Sequence, residues 1–269
     1  MIILKNDSQI ESIRRSCLIV CGALTEVAKV IGPGVTGAQI DKLAEEYIRD
    51  QSAVPAFKGH GGFPGSLCIS INSCVVHGIP SEEPFKEGDI VSVDCGSILD
   101  GFYGDSAYTF AVGEISDDLK KLLDTTNESL YIGIDQARVG NRIGDIGFAI
   151  QDYTERKHDY SVVRELVGHG IGENLHEPPE VPNYGKRGKG PKIEEGLVIA
   201  IEPMINLGKK NIMQLNDGWS IVTRDNMPSA HFEHTIAVKK EGPVLLSDHE
   251  PVVEAIKNNE NLSHFSVKS

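Results

Sequence analysis

Little in this chain invites a covalent or lipid explanation. Its five cysteines, Cys17, Cys21, Cys68, Cys74 and Cys95, are an odd number with no Cys-x-x-Cys pair. That argues against a disulfide framework or a thiolate zinc cluster, and for reduced thiols packed in a core. No apolar run is long enough to cross a bilayer, and Met1-Ile2-Ile3-Leu4-Lys5-Asn6 lacks the extended apolar core of a signal peptide. The expectation is a cytoplasmic protein without a membrane contact. Positive charge is scarce as well: 26 Lys and Arg stand against 39 Asp and Glu, a formal net charge of −13. Such a balance argues against broad, non-specific nucleic-acid binding. The one dense basic stretch is Lys186-Arg187-Gly188-Lys189-Gly190-Pro191-Lys192.

What is present reads as α+β. Ile10, Ile13, Cys17, Leu18, Cys21, Leu24, Ala28 and Ile31 recur at helical spacing over residues 8–31, and Gly32-Pro33-Gly34 ends that helix. Thr36 caps the next, with Gln39 at the capping-box position and Ile40, Leu43, Ala44 and Tyr47 inside. Residues 58–65 form a glycine-rich loop, residues 67–71 a strand, and Asp100-Gly101 the turn of a hairpin. Two further helices are predicted, one after Ser116 and one over roughly residues 145–158. From His169 to about Leu246 the chain reads as strands and loops. Helices and sheet segments occur in both halves, so residues 1–246 are taken as a single domain. Residues 247–269, polar apart from Pro251-Val252-Val253, are taken as a peripheral C-terminal tail with one short helix.

Four acids and one histidine occupy settings that suit metal ligands. Asp94 ends the apolar run Ile90-Val91-Ser92-Val93, and Asp105 opens Ser106-Ala107-Tyr108-Thr109-Phe110. On two arms of a hairpin closed by an even-length loop, they fall on one sheet face, opposite or diagonal to each other. His169 lies between Gly168 and Gly170, which let the backbone bend and a ligand approach. Glu202 follows Leu197-Val198-Ile199-Ala200-Ile201 and precedes Pro203, which steers it into extended backbone with a fixed direction. Glu233 alternates with His231 and Thr235. A carboxylate in an apolar strand costs several kcal/mol to bury unless something pairs with it, and these strands carry no matching Lys or Arg. Two divalent cations would balance the four charges. Singly, each residue has a plain explanation as a solvated turn acid or a satisfied core histidine. Together, an oxygen-rich set with one imidazole suits Mn, Fe(II), Co or Zn better than a thiolate site would, and paired cations suit hydrolysis.

In this order the residues resemble the type I methionine aminopeptidases. The resemblance spans roughly residues 5–246. It rests on Cys68-Ile69-Ser70-Ile71-Asn72 with His77-Gly78-Ile79-Pro80, on Gly88-Asp89-Ile90, and on Asp100-Gly101-Phe102 with Gly104-Asp105. It continues through Gly168-His169-Gly170-Ile171-Gly172 with His176-Glu177-Pro178-Pro179, Ile201-Glu202-Pro203, Asp217-Gly218-Trp219 and Glu233-His234-Thr235. It implies the pita-bread fold, two pseudo-symmetric halves with antiparallel sheet and flanking helices around a dinuclear metal site. It implies release of the N-terminal methionine from nascent chains and peptides whose second residue is small. In such a site Asp94 chelates one metal, His169 and Glu202 bind the other, and Asp105 and Glu233 bridge both. Glu202 handles the proton of the attacking water. His77 and His176 match the family's two non-ligand histidines, expected to hydrogen-bond the scissile amide and the tetrahedral intermediate; the plain alternative is a pair of loop histidines beside Gly78 and Pro178.

The resemblance also implies an apolar methionine pocket from Phe57, His60, Phe63, Cys68, Leu175 and Trp219, where a thioether meets aromatic edges. Here the chain departs from the familiar bacterial pattern. Phe57 stands where some members carry Cys, His60 and Phe63 where some carry Tyr, and Leu175 where some carry Phe; Glu173 stands where a basic residue is usual. On charge alone the basic loop reads as a solvated surface, whereas the resemblance implies docking near the nascent-chain exit of the ribosome, with Lys209-Lys210 adding to it. The expected form is the short bacterial one, a monomer. Two rivals stand beside this reading. A proline-directed aminopeptidase or prolidase shares the metal set but usually carries a large additional N-terminal domain and lacks the segment of residues 68–80. A metal-free binding protein on the same fold has lost ligands, all five of which are present here.

Overall fold

Asn6 opens the first helix, α1 (Asp7–Val30), with a reciprocal cap: its side chain accepts from Gln9 N while the Gln9 side chain accepts from Asn6 N. Thr36 and Gln39 repeat the arrangement at α2 (Gly37–Asp50). The structure, a computed structural model, describes residues 1–265. The buried side of α1, including Ile13, Cys17, Val20, Leu24 and Val27, packs on a long hairpin of strands Ile90–Leu99 and Phe102–Ala111. Leu99 pairs with Phe102, so the connection is the two residues Asp100 and Gly101, at φ 51° and 83°. Two positive φ angles in a two-residue loop match the right-handed twist of the arms and lock their register. Strand Leu67–Ile71 pairs with the other edge of Ile90–Leu99, and Val54–Pro55 pairs with its far end.

The second half repeats the scheme with different connections. Helix α3 (Asp117–Ile134), capped by Ser116, and helix α4 (Ile143–Gln151), which runs into a π-helical turn over Asp152–Lys157, cover a second strand system. Its main sheet has five strands in the order Gly242–Leu245, His234–Lys239, Val198–Ile201, Gly168–Gly170, Glu177–Val181. Beside it lies a three-stranded sheet of Ser229–His231, Met204–Asn206 and Ser161–Val162. A smaller sheet joins Ile212–Gln214, Ile221–Thr223 and Cys74–Val76. It ties the second half to the segment that precedes His77.

Residues 247–262, read as a peripheral tail with one short helix, pack on the domain. Ser247, His249 and Val252 are buried, and helix α5 (Glu250–Lys257) lies against α1. Asn259 Nδ2 donates to Ala28 O and Ile31 O, 2.9 Å each, and so satisfies carbonyls at the end of α1. Val252, Ala255 and Ile256 form the buried side of that helix, while Pro251 of the short apolar patch is exposed; the partner surface on α1 lies more than two hundred positions away. Residues 266–269 of the expected tail lie outside the described residues.

Candidate metal centre

The hairpin register places the first two acids. Asp94 lies opposite Ala107 and Asp105 opposite Gly96, so the acids sit diagonally on one sheet face. Cys68 lies directly across from Asp94 on the neighbouring strand. Glu202 and Glu233 are not inside regular strands as their apolar flanks suggested. They stand at breaks between strands. Ile201 pairs with His234 in the five-stranded sheet, and Met204 pairs with His231 in the three-stranded sheet. The paired chains cross from one sheet to the other together, and Glu202-Pro203 and Phe232-Glu233 are the two crossings. Leaving the ladder at Glu202 costs little because Pro203 has no N–H to donate. At the second crossing the orphaned Glu233 N–H donates to Ala107 O at 3.0 Å, which ties it to the hairpin.

His169 sits at a bulge, with the register shifting between it and Gly170. Its Nδ1 lies 2.9 Å from Gly170 O. A carbonyl can only accept, so Nδ1 carries the proton and the Nε2 lone pair points inward, the tautomer a metal ligand needs. The flanking glycines answer to packing and not to a ligand: a Cβ at Gly170 would come 2.4 Å from Pro178 O, and one at Gly168 2.4 Å from Ala200 O.

The donor atoms of Asp105, His169 and Glu233 all lie within 4.8 Å of one another. His169 Nε2 is 3.8 Å from Asp105 Oδ2 and 3.7 Å from Glu202 Oε1, too far for hydrogen bonds. Asp94 Oδ1, Asp105 Oδ1 and Glu233 Oε1 are buried with no hydrogen-bond partner. Among the described residues, no Lys or Arg makes an ion pair with any of the four acids. Burial pushes Asp94 up to about 7 and Glu202 up to about 8, and holds Asp105 and Glu233 well above the carboxylate range. Repulsion from neighbouring acids adds to burial at Asp94, Asp105 and Glu233. His169 is pulled down to about 4, first by burial and then by the adjacent His176. Buried carboxylate oxygens without a hydrogen-bond partner, beside a neutral imidazole, are a donor set for multiply charged cations. The residues fit divalent cations.

These groups line a cavity of about 440 Å³. Phe57, His60, Phe63, Cys68, Leu175 and Trp219 line it, as do His77 and His176. Phe63 meets Trp219 edge-on at 5.1 Å, and His176 meets His169 edge-on at 4.5 Å and His60 at 5.9 Å. His77 follows the strand Cys74–Val76 at φ 59°, a strained conformation for a residue with a Cβ. Burial, with His231 and His176 nearby, lowers it to about 4, so it is neutral at pH 7 and able to donate from one nitrogen and accept at the other. Val76, Leu166, Val167 and Met204 also line the cavity. Sequence reasoning passed over them, because an apolar residue beside a ligand looks like core; their closeness to His77, His169 and Glu202 was the available signal.

The basic loop is exposed but tied to the start of α4. Gly188 N donates to Asp145 Oδ1 at 2.8 Å, Arg142 Nη1 donates to Gly190 O at 2.8 Å, and the Arg187 guanidinium lies 4.5 Å from the Phe148 ring centre. It lies outside the cavity lining.

Residues 11–240 match metallopeptidase family M24. A methionine aminopeptidase of Clostridium acetobutylicum is 50% identical over 248 residues, covering 92% of this chain and 99% of that protein. The crystal structure of methionine aminopeptidase from Thermotoga maritima is 43% identical with a TM-score of 0.90, covering 92% of this chain and 100% of that one. A prolidase from Pyrococcus horikoshii, at 22% identity and a TM-score of 0.75 over 92% of this chain and 64% of that one, shares the fold. The architecture is the pita-bread fold that the sequence motifs implied.

Proposed function

The chain belongs to metallopeptidase family M24, and from that premise we propose that it hydrolyses the peptide bond after an N-terminal methionine. Its substrates are nascent chains and peptides with a small second residue. The observation that carries this reading is a group of buried acids, three of them with an unpartnered oxygen, in the lining of a largely apolar cavity. When bound, two divalent cations would supply Lewis acidity and a nucleophilic water at neutral pH. Asp94, Asp105, His169, Glu202 and Glu233 would hold them. Glu202, beside His169, takes the proton of the attacking water and passes it to the leaving amine. His77 and His176, placed on the cavity wall, hydrogen-bond the scissile amide and the oxygen that gains charge. Phe57, His60, Phe63, Cys68, Leu175 and Trp219 enclose the methionine side chain, with the Phe63–Trp219 edge contact offering a surface to its sulfur.

The two rival readings have less support. The prolidase likeness is more distant, and all five candidate ligands are present. Mn, Fe(II), Co and Zn all suit the donor set. We further place the chain in the cytoplasm as a monomer, with the 186–192 loop offered to ribosomal RNA. No helix among the described residues is long and apolar enough to cross a membrane. The test is release of free methionine from a Met-Ala-Ser peptide by chelated protein and after Mn(II), Fe(II) or Co(II) add-back, beside an Ala-Pro-Ser peptide. Metal-restored methionine release with the proline peptide intact is the expected result. Cleavage of the proline peptide instead would move the chain to the proline-directed branch, and absence of metal uptake would make it a binding protein.

A further inference from the structure

One buried group among the acids has no role in that scheme. His231 ends its strand opposite Met204, two residues beyond Glu202, and is 1% exposed. Its Nε2 lies 3.5 Å from Glu202 Oε2 and has no hydrogen-bond partner. The other Glu202 oxygen, Oε1, faces His169 Nε2 at 3.7 Å. The two oxygens of one carboxylate are thus divided between two imidazoles. A single hydroxyl fixes the backbone that aims His231: Thr109 Oγ1 donates to His231 O at 2.6 Å and accepts from His231 N at 3.1 Å. With its only proton committed to that carbonyl, Thr109 accepts from Ser92 Oγ at 2.8 Å. Ser92 and Thr109 are cross-strand partners on the hairpin, two residues from Asp94 and four from Asp105 respectively. The element that places two of the acids therefore places His231 as well.

We propose that His231 is a positioning residue whose Nε2–H donates to Glu202 Oε2 and keeps Oε1 turned toward His169 and the cavity. The inference rests on the reading of Glu202 as metal ligand and proton acceptor. The terminal torsion of a glutamate is broad and two-fold, so a donor on one oxygen is what selects the plane. The present 3.5 Å separation is loose for a hydrogen bond and closes with a small turn of that torsion. His231 does not line the cavity, so its effect on substrate passes through Glu202.

The test compares full-length His231→Gln, His231→Leu and His231→Asn with the unaltered chain. Glutamine keeps an N–H donor at similar reach, leucine removes it, and asparagine holds it a methylene short. Three quantities are read: kcat and KM for Met-Ala-Ser with Mn(II), and Mn(II) affinity by calorimetry. For His231→Leu the expectation is a kcat lower by about 10- to 100-fold, KM within about twofold, and Mn(II) affinity weaker by about tenfold. His231→Gln should keep at least about a third of kcat and bind Mn(II) like the unaltered chain. His231→Asn should follow leucine, and it stands in should the leucine variant not fold. Normal kcat and Mn(II) affinity in the leucine and asparagine variants would overturn the proposal. A glutamine variant as impaired as leucine would overturn it too, because the imidazole itself would then be needed. If the unaltered chain released no methionine, the functional reading would fall, while the Mn(II) titration would still decide this one.

Discussion

Replacing Lys5 by methionine should destabilise the chain by about 3–5 kcal/mol, because the change strands a buried charge. The Lys5 and Glu177 side chains are 3% and 5% exposed and meet at 2.5 Å. Among the described residues the other Glu177 oxygen accepts only from Asn174 N, at 3.2 Å, so loss of the ammonium leaves a buried carboxylate with one N–H donor. The intact pair is worth far less than the cost of breaking it, since both ions gave up hydration to form it. The Lys5→Met/Glu177→Met double variant should therefore recover most of the loss. With a urea slope of about 3 kcal/mol per molar, the single variant's midpoint falls by about 1–1.7 M. The assay is urea unfolding of metal-free protein, followed by the fluorescence of Trp219 and by far-ultraviolet circular dichroism. Residues 172–177 also carry Leu175 and His176 to the cavity, so KM for the methionine peptide should rise in the single variant. A single variant within about 1 kcal/mol of the unaltered chain, or a double variant that loses the sum of both singles, would refute the reasoning.

Asp105→Asn should reduce methionine release by at least about a thousandfold, yet raise the melting temperature in chelator, because it removes one of the mutually repelling buried acids; a lower melting temperature would count against the repulsion argument. His77→Ala should cut kcat by about a hundredfold with metal content unchanged by elemental analysis, and a parallel fall in bound metal would make His77 a ligand or a structural group. Adding Mn(II) to a hundred times its Kd should stabilise the metal-free chain by about 2.7 kcal/mol for each site filled, read as a concentration-dependent melting temperature. Burial holds His249 well below its ordinary 6.5, with Ser106 Oγ 2.8 Å from its Nε2. It is neutral when folded and protonates when unfolded, so its own contribution to stability is full above pH 6.5 and falls below that by about 1.4 kcal/mol per pH unit. In metal-free protein His249→Gln should flatten the stability profile between pH 6.5 and 5, and an unchanged slope would assign the loss elsewhere.

Much of the site was legible because its cues are local. The helical periods of α1 and α3, the caps at Thr36 and Ser116 and the Asp100-Gly101 turn each depend on a few neighbouring residues. The turn also sets register, which is why residue spacing alone puts Asp94 and Asp105 on one face. Glu202 and Glu233 were recognisable as acids beside apolar runs. Their place at paired crossings between two sheets was not, because Ile201↔His234 and Met204↔His231 are pairings between distant segments. Lys5 gave no hint of Glu177, 172 residues further on, and the tail's short helix gave no hint that α1 supplies its opposite surface.

By itself, then, the chain determined which elements form, where they start and turn, and which donor types are available, since these follow from periodicity, capping and side-chain chemistry over a few residues. Only the tertiary structure decided which donors meet, that their charges stay unpaired by Lys or Arg, and that His231 faces Glu202. Those outcomes depend on register and sheet crossing, which bring together atoms that chain separation alone leaves unrelated.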